Sequence, residues 1–155
     1  MSEESILSRL QTDMTAAMKA KDADTLSTLR MLKSSLMEAK TKKPKDAALT
    51  ADEEVEVLQR YVKKRREAIE ELMKLGRTDL TTREEQEIAV TQRYLPQALD
   101  EEALRSVVRE AIASTGAAGP KDMGKVIGLV MSQVKGRAEG GVVSRLVKES
   151  LAPQG

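Results

Sequence analysis

Apolar residues in this chain recur three and four positions apart, block after block. No stretch alternates long enough to read as a strand. That spacing constrains the fold most, because it puts each block's apolar side chains on one face of a helix. The first block carries Ile6, Leu10, Met14 and Met18. Asp24 is placed to cap a second, with Leu29, Leu32, Leu36 and Met37 as its stripe, ending before Pro44. TKKPKDAALT reads as a loop. Thr50 and Glu53 make a capping box for a long third helix through Val55, Leu58, Val62, Ile69, Leu72 and Leu75, which Gly76 stops. A shorter fourth, capped by Thr81 or Thr82, carries Ile88 to Leu95 and closes at Pro96.

Composition shifts at QALDEE, where Asp100 caps a helix bearing Leu104, Val107, Val108, Ala111 and Ile112. After STGAAGP comes a helix expected to bury Met123, Ile127, Val130 and Val134 and to end at Gly136. The last uses Val143, Leu146, Val147 and Leu151 before Pro153. The expectation is an all-α protein: a multihelical N-terminal domain of about four helices over residues 1–96, and a small three-helix domain over 97–155. Gly124 and Gly128, four apart, suggest close helix packing, and the methionines are expected to fill cores.

The residue types exclude much chemistry. There is no His and no Cys among 155 residues, so thiol chemistry, disulfides, structural zinc and the common nucleophile–base pairs are out. With no Phe or Trp either, a water-excluded pocket able to shift carboxylate pKa values is hard to build. No catalytic residue, cofactor or metal site is assigned. No run reaches the roughly 18 apolar residues of a membrane span, and MSEESILSRL does not resemble a signal peptide. A cytoplasmic protein is expected.

Charge is balanced overall, 26 Lys and Arg against 25 Asp and Glu, so any basic surface is local. The tail concentrates it. Lys121, Lys125, Lys135, Arg137, Arg145 and Lys148 face only Asp122, Glu139 and Glu149 in the same stretch. A second cluster, RYVKKRR (Arg60 to Arg66), is flanked by EEVEV and EAIEE. It is read equally as a helix face with internal ion pairs or as a binding surface.

The tail KDMGKVIGLVMSQVKGRAEGGVVSRLVKESL resembles the tail of the GatB/YqeY family. The matching pieces are Asp122-Met123-Gly124, Lys135-Gly136-Arg137-Ala138 and the closing Val143 to Lys148 helix. Upstream, TLRMLKSSL (Thr28 to Leu36), Ala68-Ile69-Glu70 and RYLPQALDEEAL (Arg93 to Leu104) resemble the family's free-standing, two-domain form. The same tail closes the B subunit of the tRNA-dependent amidotransferase and is appended to some glutaminyl-tRNA synthetases. The resemblance implies holding of the tRNA body by shape and backbone. It also implies a family label of carbon–nitrogen ligase with glutamine as amide donor, although nothing here resembles the glutaminase subunit or the ATP-using cradle. One departure is Glu139, where the family usually has Asp after KGRA. Gly140 or Gly141 then takes over the cap, or Glu139 acts through the helix dipole.

Together these point to an RNA-binding set of Lys121, Lys125, Lys135, Gly136, Arg137, Arg145 and Lys148. Gly136 would turn the chain, and Lys135 and Arg137 would stand beside the open start of the last helix, an arrangement that suits phosphate. Expected partners are tRNA and, beyond it, an aminoacyl-tRNA synthetase or amidotransferase subunits. The rival is a protein-interaction module in which KGRAEGG is a plain corner with solvated cations.

Overall fold

In the computed structural model, which describes residues 4–152, every apolar block forms a helix. The order is α1 (Ile6–Lys19), α2 (Ala23–Thr41), α3 (Ala51–Lys74), α4 (Thr82–Gln92), α5 (Glu101–Thr115), α6 (Met123–Val134) and α7 (Gly140–Leu151). Short 3₁₀ turns occur at Thr78–Leu80 and Pro120–Asp122, and among the described residues there is no strand. The fold is all-α. The chain divides into two compact units, one running to Leu95 and the other from Pro96.

In the first unit α2 packs against α1, α3 and α4. Its Leu29, Leu32 and Leu36 meet Leu10, Leu58 and Val90 in a core edged by Tyr61 and Tyr94. Periodicity located this core with two slips. A strict spacing of four overshoots a 3.6-residue turn by about 40° per step, so a stripe begun at Ile6 has rotated about 120° by Met18. Met18 is accordingly 55 % exposed, and Ala17, within about 20° of Ile6, closes the face instead. Among the described methionines, four pack against the cores as expected and three do not. Met14, Met31, Met123 and Met131 are half-buried, and Met18, Met37 and Met73 are exposed.

The start of α2 lies two residues earlier than its sequence signal. Lys21 turns the chain with φ 58°, and the Asp22 carboxylate accepts the Thr25 N–H at 3.1 Å. Asp24 therefore sits in the first turn, where it complements the helix dipole rather than capping it. At α3 the Thr50–Glu53 capping box forms as expected. At the other end Gly76 N–H donates to Met73 O at 3.0 Å and Arg77 N–H to Leu72 O at 2.8 Å, with Gly76 at φ 70°. This paired closure is the Schellman arrangement. The last turns of α3 outrun the core, leaving Ile69 and Leu72 half-buried and Leu75 72 % exposed. Neither Thr81 nor Thr82 caps α4. The Thr81 hydroxyl bonds Thr78 O and Glu85 instead.

Two buried carboxylates tie the first unit together. Glu54, on α3, accepts the Ile6 N–H at 3.2 Å and the Leu7 N–H at 2.9 Å, so α1 is capped from another helix. Glu87, on α4, takes Arg65 of α3. Both tyrosines carry an arginine on the ring: Arg9 over Tyr94 at 5.0 Å and Arg65 over Tyr61 at 4.5 Å. The Tyr94 hydroxyl also donates to Asp13. Burial first, then that carboxylate, pushes the phenol well above its usual range.

In the second unit α5, α6 and α7 pack pairwise around Leu104, Val108, Val130, Val143, Leu146 and Val147. Asp100 caps α5 by accepting the Ala103 N–H at 2.7 Å. On α6 the buried line is Val126, Val130 and Val134, while Met123 and Ile127 are half-buried. Apolar residues cover most of α6, so periodicity alone could not choose between adjacent lines; packing against both α5 and α7 does. Gly124 and Gly128 do not mark close packing. Both are exposed, and a Cβ at either would meet nothing within 4 Å.

Candidate functional site

The Lys135–Glu139 turn between α6 and α7 is built from two successive left-handed residues. Lys135 takes φ 33° and Gly136 φ 83°. Glycine adopts this region freely, but lysine does so at a cost. The turn then closes on itself, Arg137 N–H donating to Val134 O at 2.9 Å. Glu139 occupies the position before α7 in extended conformation, and its side chain makes no capping bond. Gly140 and Gly141 become the first helical residues instead of caps. Both are exposed with open space around them, so the start of α7 stays accessible.

Arg137 proves to be a brace. Its Nε donates to Gln97 O at 3.1 Å, and its carbonyl accepts the Leu99 N–H at 2.8 Å. The segment leading into α5 is thereby stitched to the turn. Arg145 is likewise occupied. It bonds Glu101 of α5 at 3.0 Å and Glu149, one turn on, at 3.2 Å. Arg105 completes the ring, reaching Glu101 at 2.9 Å and Glu149 at 3.5 Å. The hydrogen bond from Arg145, then its charge, holds Glu101 below the usual carboxylate range. Counting carboxylates along the tail thus understated its neutralisation, because Glu101 arrives from a helix about 40 positions upstream.

The four lysines behave differently. Lys121, Lys125, Lys135 and Lys148 are exposed, and no ion pair among the described residues involves them. They do not form one cluster. Lys121 and Lys125 stand at the start of α6 and Lys135 just past its end, about 15 Å along the axis from Lys125.

The RYVKKRR segment resolves into two halves. Arg60 pairs within α3, to Glu56 at 3.1 Å. Arg65 reaches across to Glu87 on α4, with Nε 3.0 Å from the carboxylate though the N–H is not aligned for a hydrogen bond. Lys63 and Lys64 are exposed. Sequence reasoning missed the carboxylates Glu54 and Glu87. Each lies on its helix's buried face, and that misplacement of a charge was the available signal.

Among the described residues no group of three carboxylate, His or Cys side chains is placed to hold a metal ion. No described helix is long and apolar enough to cross a membrane. Compared with known families, residues 7–151 match the model of the Yqey-like proteins. The chain belongs to that family. Its relatives include the altered inheritance of mitochondria protein 41, mitochondrial, of Pyrenophora tritici-repentis. That protein is 32 % identical over 153 residues, covering 95 % of this chain and 81 % of the relative. An uncharacterized protein of Schizosaccharomyces pombe is 37 % identical over 83 residues, covering 52 % of this chain and 64 % of its own. For this Yqey-like chain the match runs from α1 to the end of α7 and so includes both units.

Proposed function

We propose that this Yqey-like protein is a non-catalytic, tRNA-binding accessory module of aminoacyl-tRNA amidation, gripping RNA by its phosphates through the second unit. The observation that carries the reading is the set of four exposed lysines without carboxylate partners, of which Lys135 lies in the turn leading into α7. Arg145 is committed to two carboxylates and the Nε of Arg137 to the Gln97 carbonyl, so both have fewer free donors for a phosphate; the lysines contact RNA while the two arginines shape the unit. With few aromatic side chains, recognition rests on backbone and shape rather than on stacking of unpaired bases. An aminoacyl-tRNA synthetase or amidotransferase subunits supply the chemistry.

The test is a gel shift with total tRNA and with a DNA duplex at two salt concentrations. Lys121→Glu with Lys125→Glu, and separately Lys135→Glu, are expected to weaken tRNA binding. Each lost phosphate contact lowers the slope of log affinity against log salt by somewhat under one. Unchanged binding in both variants sinks the reading. The purified chain alone is expected not to amidate mischarged tRNA with glutamine.

A second reading, a protein-docking module that does not touch RNA, draws on the apolar end of α3, where Met73 is 57 % and Leu75 72 % exposed. Partners that survive nuclease treatment in a pull-down, with no RNA recovered, favour it.

A further inference from the structure

A cleft of about 480 Å³ runs between α2 and α3 in the first unit, remote in sequence from the tail lysines. Its walls are unusually cationic. α2 and the residue after it contribute Arg30 and Lys42; α3 contributes Arg60, Lys64 and Arg65. One carboxylate, Glu38, lines the cleft with them. Arg60 and Arg65 are balanced by Glu56 and Glu87, which lie outside the lining. Arg30, Lys42 and Lys64 are exposed, and no ion pair among the described residues involves them. Like charges gathered on facing walls repel each other, and salt screens that repulsion only beyond about 8–10 Å.

The rest of the lining is mainly apolar. Met31, Ala39, Val57 and the edge of Tyr61 supply apolar surface, with the Ser34 and Ser35 hydroxyls beside them. Tyr61 is held in place by the Arg65 guanidinium on its ring and by its hydroxyl, which points to the Met31 sulfur at 3.7 Å. A purely electrostatic surface for a polyanion needs no such floor. A volume near 480 Å³ falls within the roughly 300–1,000 Å³ typical of small-ligand sites, and here charged side chains share the lining with that apolar floor.

We propose that the α2–α3 cleft binds a small organic phosphate of about nucleotide size. Arg30, Lys42 and Lys64 receive the phosphates, and Met31, Val57 and Tyr61 receive the apolar portion. This site is independent of the tail lysines and of the RNA reading built on them. No reaction is assigned to it.

ADP is the probe, with pyrophosphate and adenosine as its two halves, titrated into the full chain at low salt and followed by calorimetry. ADP is expected to bind in the sub-millimolar range, pyrophosphate about tenfold more weakly, and adenosine not measurably. Arg30→Glu with Lys64→Glu changes two exposed side chains and is expected to weaken ADP by about tenfold or more. Lys19→Glu with Lys63→Glu makes the same change in net charge outside the cleft and is expected to stay within about threefold. On the unaltered chain, amide shifts on adding ADP are expected at Met31, Ala39 and Val57, a readout that does not depend on any variant folding. Absence of ADP binding overturns the proposal, as does equal weakening by both double variants. Pyrophosphate binding as well as ADP also overturns it, because the apolar floor is then idle. If ADP fails to bind but Arg30→Glu with Lys64→Glu weakens tRNA in the gel shift, the cleft is a nucleic-acid surface and not a small-ligand site.

Discussion

Replacing Glu54 by alanine tests whether α1 is held by a cap borrowed from α3. Glu54 is 4 % exposed, and its two carboxylate oxygens accept the first N–H groups of α1, from Ile6 and Leu7. A helix leaves its first N–H groups without intrahelical partners, and a negative charge there also meets the positive end of the helix dipole. Hydrogen bonds to a charged acceptor contribute about 1.5–3 kcal/mol each. Water can reach the half-buried Leu7 in the variant but hardly the buried Ile6, so one bond is partly replaced and the other is not. Removing the carboxylate also relieves the cost of burying it, which offsets part of the loss. The expected net loss for Glu54→Ala is about 2–3 kcal/mol, a large share of the roughly 5–15 kcal/mol that holds a typical domain. Glu54→Gln keeps one acceptor and drops the charge, and is expected to lose about half as much. Urea denaturation measures the loss, and hydrogen exchange locates it, with the amides of α1 losing protection before those of α2. A loss below about 0.5 kcal/mol, or exchange that rises equally across the unit, would refute the tertiary cap.

The turn and the capping box can be tested in the same way. Gly136→Ala forces a side chain into φ 83° and is expected to cost about 1 kcal/mol, whereas Lys135→Gly relieves the strain at φ 33° and is expected to raise the melting temperature slightly. Arg137→Ala is expected to cost about 1 kcal/mol through loss of the bond to Gln97 O, a loss that Lys135→Ala, read by the same thermal melt, does not share. The hydrogen bond from Lys43, then the Thr50 N–H, holds Glu53 down to about 2. A depressed carboxylate stabilises the folded state above its unfolded pKa of 4.5, and the stabilisation disappears as pH falls from there toward about 2. Lys43→Met is expected to flatten stability against pH across that window, as read by acid titration of the helical signal.

What the sequence determined by itself was the set of local structures. Helix existence, the Thr50–Glu53 box, the Asp100 cap and the stops at Gly76 and Gly136 all depend on residues within one or two turns of each other. Such signals survive without knowledge of the fold. The buried stripe of α7 was equally legible, as was that of α2 apart from Met37, which is exposed. Only tertiary structure could choose which apolar line of α6 faces inward, because α6 offers two adjacent lines and its neighbours select one. Only tertiary structure could set the electrostatics as well. Glu101 reaches Arg145 across 44 positions, Glu54 reaches α1 across 48 and 47, and Arg137 reaches Gln97 across 40. Charge counted along a chain sees neighbours in sequence, whereas Coulomb's law and hydrogen bonding act on neighbours in space. That is why the tail's six cations separated into two braced arginines and four available lysines only once α5 was packed beside α6 and α7.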